Sequence, residues 1–273
     1  MKGYFLVEEI MRFPKIIKRI KNFHEYFFAR FNLTKKKLVM LKMRNGLNYI
    51  LRAKTVDVFL FTEVALENTY LLESIEFPEN ATIIDLGAHI GFFSVHASNK
   101  AKKIFAFEPV PENFELLKKN IELNKLENKI IPFNLALSDK TGKEKIFLTK
   151  NHSGGHSIYG CEKKDAQNEF ISQFITSKGF SEKNFVEVNS ITLNEVFKKN
   201  EINHCDLLKL DIEGAEYNVF YGLPDSCFNK IQRITMECHD IDKQKNNMVS
   251  LIDFLKSKGF KVTAKTAILF AER

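Results

Sequence analysis

From Ala81 onward the chain alternates short apolar runs with longer periodic ones, and this alternation constrains the fold more than any other feature. ATIIDL reads as a buried strand and GFFSVHASNK as a helix. KIFAFEP is a second strand, followed by the long helix PENFELLKKNIELNK with Leu116, Leu117, Ile121 and Leu123 inward. IIPFNLALS reads as a third strand. After a Lys-rich insert come a fourth strand, DLLKLD, with the helix GAEYNVFYGL, and a fifth, RITMECHD, with the helix MVSLIDFLKSKGF. KVTAK and AILFAER suit a terminal antiparallel hairpin. Strands that alternate with helices require a mostly parallel sheet with helices on both faces. The expected class is therefore α/β, Rossmann-like, over 81–273. In such sheets ligands bind outside the carboxyl ends of the strands.

Two segments precede this unit. Residues 35–80 read as a β-hairpin and a helix: apolar runs flank Arg44-Asn45-Gly46, a strong hairpin signal, and DVFLFTEVALENTYLLESI looks helical. Residues 1–34 contain a basic amphipathic helix over 13–31. Ile16, Ile17, Ile20, Phe23, Phe27 and Phe31 recur near a 3.6-residue period, with Lys15, Lys18, Arg19 and Lys21 opposite. Such a helix either makes a peripheral contact with a membrane, at its inner face, or packs on its own body or a sister subunit in a homo-oligomer.

Composition excludes little. A net charge of +7 over 273 residues hints at an anionic partner, but a solvated Lys-rich surface explains it as well. Cys161, Cys205, Cys227 and Cys238 form no CxxC pair and read as free thiols in a reducing compartment. No run reaches the roughly 20 apolar residues that a spanning helix needs. The N-terminal apolar stretch carries acids, unlike a signal peptide, so a cytoplasmic location is expected.

The junction IIDLGAHIGFFS places a carboxylate and two glycines between the first strand of the sheet and its helix. A dinucleotide site needs G-x-G-x-x-G, whereas Asp85, Gly87 and Gly91 are spaced D-x-G-x-x-x-G, with Ala88 and His89 between the glycines. A pyrophosphate sits badly beside Asp85, and a cationic ligand sits well. S-adenosylmethionine carries a sulfonium, an ammonium and a carboxylate but no phosphate, so Asp85 would favour its positive methionyl end, directly or through water. Twenty-three positions beyond Asp85, Glu108 ends the second strand, where an acid accepts from ribose hydroxyls. Leu137, Ser138 and Asp139 follow where an adenine ring would lie; Asp139 either accepts from the adenine amino group or merely starts the Asp-Lys-Thr-Gly turn.

DLGAHIGFFS, FAFEPVPENFELLKKNIELN, LALSD and LLKLDIEGAEYNVFYG together resemble the FkbM family of class I S-adenosylmethionine-dependent methyltransferases. The similarity runs over 54–272, with KLDIEGAE its most specific element. The resemblance implies a seven-stranded sheet and O-methylation, commonly of sugar or polyketide hydroxyls. One departure is Thr192-Leu193-Asn194, where similar proteins often carry an acid after the leucine.

A hydroxyl acceptor needs a base or a metal to take charge of its proton. Candidates cluster at the ends of the fourth and fifth strands: Asp211 and Glu213 in KLDIEG, Glu237 and His239 in MECHD. Three arrangements fit. His239 acts as general base; or Asp211 and Glu237 hold a divalent cation such as Mg²⁺; or Glu213 and Glu216 only support the helix, with Lys209 paired to one of them. A glycine-rich segment at 151–160 reads as a lid or acceptor loop.

Two rival functions are weighed. A nucleic-acid (RNA) methyltransferase fits the positive charge, but base N-methylation usually uses an Asn/Asp-Pro-Pro-aromatic tetrad where this chain has Asp211-Ile212-Glu213-Gly214. A non-catalytic membrane-associated protein would have no need of Asp85, Gly87, Gly91 and Glu108 together. The expectation is an O-methyltransferase acting on a sugar hydroxyl of a glycan, glycolipid or small glycoside, with no nucleic-acid partner.

Overall fold

The computed structural model describes residues 2–148 and 184–273. Seven strands build the main sheet: β3 (Thr82–Leu86), β4 (Lys103–Phe107), β5 (Ile130–Phe133), β9 (Leu207–Leu210), β10 (Arg233–Glu237), β11 (Lys261–Lys265) and β12 (Ile268–Glu272). Their order is β11-β12-β10-β9-β3-β4-β5. β3, β4, β5, β9 and β10 are parallel, and β12 returns antiparallel between β10 and β11. The strand order reverses between β3 and β9, so the carboxyl ends of these two strands face the crevice where a ligand fits. All four residues of β9 are buried, Lys209 among them.

Each expected helix of this unit forms, though shorter than its periodic run: Phe92–Ala97, Pro111–Leu123, Glu216–Tyr221 and Met248–Ser257. Pro111 opens its helix, where a missing N–H costs nothing. Asn247 caps the last one by accepting from Ser250 N at 3.0 Å.

The third expected strand is two elements. β5 stays at the edge of the main sheet, but Asn134 turns the chain away by donating to the carbonyls of Glu108 and Pro109, both at 2.9 Å. The two residues of β6 (Ala136–Leu137) then join a separate three-stranded sheet with β7 (Gly142–Phe147) and β8 (Phe185–Ile191), in the order β6-β8-β7. β7 and β8 were not expected. They flank the Lys-rich insert, and β8 leads into a helix, Leu193–Lys199, capped by Thr192. The glycine-rich 151–160 segment lies outside the described residues.

The hairpin forms as expected, with β1 (Leu38–Lys42) paired to β2 (Asn48–Arg52) around Gly46 at φ +95°. The N-terminal helix begins earlier than 13 and is broken in two, Lys2–Arg19 and Phe23–Arg30. At the break Ile20 bridges to Met43, and the Asn22 side chain bonds Met40 O and Lys42 N. Its apolar stripe is partly inward: Ile16 and Ile20 are fully buried in a core shared with Tyr49, Phe61, Phe92 and Leu117, Ile17, Phe23 and Phe27 are half-buried, and Phe31 stays exposed, as do Phe13 and Phe28. A clasp between Arg30 and Glu9, 2.8 Å and buried, ties the two helices together.

The helix expected after the hairpin is a single α-helical turn, Asp57–Phe61, continued as a π-helical turn, Thr62–Leu66. It ends before Leu71, which takes a left-handed φ of +57°. The extension therefore shares one core with the sheet unit. Among the described residues no helix is long and apolar enough to cross a membrane, and Cys205, Cys227 and Cys238 are buried free thiols.

Candidate functional site

One cavity opens at the carboxyl ends of β3, β4, β9 and β10, with Gly87, His89, Glu108, Leu137, Asp211 and Glu237 among its walls. The sequence-derived residues divide into those that line it and those that build it.

Asp85 builds it. Its side chain is fully buried and does not reach the cavity wall: Lys209 Nζ lies 3.1 Å from Oδ1, and Ser94 Oγ donates to Oδ2 at 2.6 Å. Its charge is matched from within the protein, so a direct contact with a cationic ligand is not offered by this arrangement, and any influence on the methionyl end acts from behind the wall. The expected pairing of Lys209 with Glu213 or Glu216 is corrected, since Lys209 pairs with Asp85. Lys209 Nζ also donates to Gly87 O at 2.8 Å, tying β9 to the turn after β3.

The two glycines answer to protein contacts. Gly87 has φ +76°, and a Cβ there would sit 1.8 Å from Asp211 O. Gly91 has φ +91°, and its Cβ would sit 2.6 Å from Leu117 Cδ1. Only Gly87 lines the cavity; Gly91 opens the helix and seats it on Leu117.

Glu108 is the best-anchored group on the wall. Oε2 accepts from His89 N at 2.9 Å; Oε1 accepts from Val110 N at 3.0 Å and Asn113 Nδ2 at 3.3 Å. Burial nevertheless outweighs these donors and pushes its carboxyl up to about 7. His89 supplies its backbone donor from a left-handed conformation, φ +53°. Beside Glu108 the wall is apolar, with Phe107, Val110, Leu135 and Leu137. Ser138 and Asp139 do not line the cavity. Ser138 Oγ lies 3.1 Å from Asp139 Oδ1 and 3.0 Å from Glu144 Oε1, and Asp139 is exposed, so this pair belongs to the turn.

The opposite chemistry gathers at the ends of β9 and β10. Asp211, Glu237 and His239 each present a ligand-capable atom, all within 4.8 Å of one another. Burial pushes Asp211 up, opposed chiefly by the Lys209 charge. Burial, then the charge of Asp211, pushes Glu237 up to about 8. His239 Nδ1 lies 3.0 Å from Oε1 of the buried Glu216, and Nε2 lies 3.6 Å from Glu213 and 3.9 Å from Glu237. A buried carboxylate accepts the Nδ1 proton, which places the imidazole lone pair on Nε2.

Sequence reasoning missed the contribution of the N-terminal extension. Leu60 and Glu63 line the cavity, and Tyr70 donates its hydroxyl to Asp211 Oδ2 at 2.8 Å. Glu63 keeps an open edge to solvent, yet desolvation in the acidic mouth, then Asp211, pushes it up to about 7. No local pattern announces these residues, since their role depends on where the extension docks.

A model of the methyltransferase FkbM domain matches residues 85–262, most of the chain. The chain belongs to the FkbM methyltransferase family. It is 26% identical to the methyltransferase sdnD of Sordaria araneosa, over 81% of this chain and 88% of that protein. It is also 26% identical to the 31-O-demethyl-FK506 methyltransferase FkbM of Streptomyces tacrolimicus, over 78% of this chain and 85% of that protein. The hexuronic acid methyltransferase AglP of Haloferax volcanii is 25% identical, over 62% and 59%.

This FkbM-family chain is thus an S-adenosylmethionine-dependent methyltransferase, and the cavity fits that cofactor. Glu108 offers a fixed carboxylate suited to a diol, the adjoining wall is apolar as a purine requires, and Gly87 leaves the turn after β3 without a side chain. When bound, S-adenosylmethionine supplies an electrophilic methyl group.

Proposed function

We propose that this enzyme O-methylates a sugar hydroxyl of a glycan, glycolipid or small glycoside. The observation that carries the reading is that Asp211 and Glu237 line the cavity that also holds Glu108, with His239, itself outside the lining, within 4.8 Å of both. Carboxylates at its mouth accept hydrogen bonds from a polyol and orient it. His239, its Nδ1–H held by Glu216, takes the hydroxyl proton through Nε2. The acidic lining of Glu63, Asp211, Glu213 and Glu237 suits a neutral polyol better than a polyanion such as RNA. The hexuronic acid methyltransferase among the relatives supports a sugar acceptor.

A second reading has the same triad hold a divalent cation that acidifies the hydroxyl, since two carboxylates and an imidazole within 4.8 Å suit one. The test is transfer of labelled methyl from S-adenosylmethionine to a panel of methyl glycosides, oligosaccharides and transfer RNA, with and without chelator. Transfer to glycosides, insensitive to chelator and reduced about 100-fold or more in His239→Ala, is expected of a positioned base. Loss on chelation with recovery in Mg²⁺ or Mn²⁺ selects the metal reading. Methylation of RNA alone overturns both.

A further inference from the structure

We infer that Arg52, on the hairpin of the N-terminal extension, is a positioning residue for the cofactor site that acts through His89 and Asn113 on Glu108; this rests on the reading that Glu108 takes the ribose hydroxyls.

The connection is continuous. Arg52 is held in place by Asp57, fully buried, which accepts from Arg52 Nε at 2.9 Å, Nη2 at 3.1 Å and the Arg52 backbone N at 2.9 Å. The same Nη2 lies 2.8 Å from Asn113 Oδ1 and 3.0 Å from His89 Nε2. A guanidinium donates and never accepts. Asn113 must therefore turn its oxygen to Arg52, which leaves its Nδ2 for Glu108 Oε1. His89 Nε2 faces the same Nη2, whose two N–H groups are shared among Asp57, Asn113 and His89, and lies 3.7 Å from Asp57 Oδ1, so this cluster holds the ring in place. A fixed ring supports the left-handed backbone from which His89 N reaches Glu108 Oε2.

Two of the three hydrogen bonds that orient Glu108 thus come from groups gripped by one arginine, and the third comes from Val110 N. Arg52 itself does not line the cavity. Lysine cannot replace it, since one ammonium does not reproduce a planar fork spanning Asp57, Asn113 and His89.

The experiment is calorimetric titration of the full chain with S-adenosylhomocysteine. Adenosine and 2′,3′-dideoxyadenosine are then competed against it, in wild type, Arg52→Ala, Arg52→Lys, Asn113→Ala and Glu108→Ala. Arg52→Ala is expected to weaken S-adenosylhomocysteine and adenosine about tenfold or more, roughly 1.4 kcal/mol. It should leave 2′,3′-dideoxyadenosine within twofold, because only a ribose diol reads the orientation of Glu108. Arg52→Lys should recover little. Arg52→Ala combined with Asn113→Ala should cost less than the sum of the singles.

If Arg52→Ala does not fold, Arg52→Lys, which keeps the charge but not the fork, carries the same comparison of adenosine with its dideoxy analogue. Equal weakening of both nucleosides, or no weakening in a folded variant, overturns the proposal. Wild-type affinity in Glu108→Ala overturns the ribose reading and this proposal together. Weakening in Glu108→Ala without weakening in Arg52→Ala or Asn113→Ala overturns the proposal alone.

Discussion

Lys209 Nζ stands 3.1 Å from Asp85 Oδ1, and neither side chain is more than 3% exposed. The pair joins the middle of the fourth parallel strand to the end of the first, beneath the cavity floor, with Tyr70 and Phe93 rings over the ammonium at 5.3 and 5.8 Å. Breaking either partner strands a buried charge, which costs roughly 3–5 kcal/mol. Lys209→Met and Asp85→Asn should each lower the unfolding free energy, measured by denaturant titration, by about 3–5 kcal/mol. The double variant Asp85→Leu with Lys209→Met should regain most of the loss, because no charge is left unpaired. A double variant as unstable as the sum of both singles would show that the residues act separately.

Gly87 and Gly46 test what a left-handed glycine is for. Both have positive φ, but a Cβ at Gly87 meets Asp211 O at 1.8 Å while nothing lies within 4 Å of one at Gly46. Gly46→Ala should cost about 1 kcal/mol of backbone strain. Gly87→Ala should cost on the order of 3 kcal/mol or more, with loss of S-adenosylhomocysteine binding, as β9 is forced from the turn. Thermal melts and titration on the two variants separate these outcomes; equal costs would refute the steric account.

Tyr70 reaches from the extension to Asp211 Oδ2 at 2.8 Å. Removing the hydroxyl leaves the carboxylate buried without that donor, a loss of about 1–2 kcal/mol. Tyr70→Phe should therefore lower kcat roughly tenfold and leave S-adenosylmethionine affinity within twofold, since only the hydroxyl bound to Asp211 is lost while the ring stays over Lys209. A change confined to cofactor affinity would place Tyr70 in the wrong half of the site.

Glu108 links stability to pH. Its carboxyl ionises at 4.5 when unperturbed and at about 7 in the fold, where burial favours the protonated form. Between those values the unfolded chain has released the proton while the folded chain still holds it. The contribution of Glu108 is thus complete below pH 4.5 and is lost as pH rises through about 7, at most about 3 kcal/mol in all. Unfolding free energies measured from pH 5 to 8 should fall less steeply for Glu108→Gln than for the wild type. An unchanged slope would mean that Glu108 is already ionised at pH 5.

Much of this architecture was legible in local pattern. ATIIDL, KIFAFEP, DLLKLD and RITMECHD announce buried parallel strands because both faces of such strands are apolar, and their tips proved to ring the cavity. β7 and β8 escaped notice because GKEKIF and FVEVNSI are largely exposed or half-buried, so their alternation carries many charges. IIPFNLALS reads as one strand although Pro132 interrupts the run; the chain leaves the sheet after β5 where a side-chain amide, Asn134, turns it.

Residue spacing determined the fold class and put Glu108, Asp211, Glu237 and His239 at the carboxyl ends of the strands, around the cavity mouth. These follow from periods of 2 and 3.6 and from which residue types end strands, properties that neighbours in sequence settle between themselves. Tertiary structure decided which acid faces a ligand and which is spent on the scaffold. Asp85 and Glu108 look alike in sequence, yet Asp85 is neutralised by Lys209, more than a hundred residues away, while Glu108 is held toward the cavity by three donors. It also decided that Glu63 lines the cavity and that Arg52 and Tyr70 bond residues of its wall. A charge's role depends on which opposite charge packs against it, and packing partners distant in sequence leave no trace in local pattern.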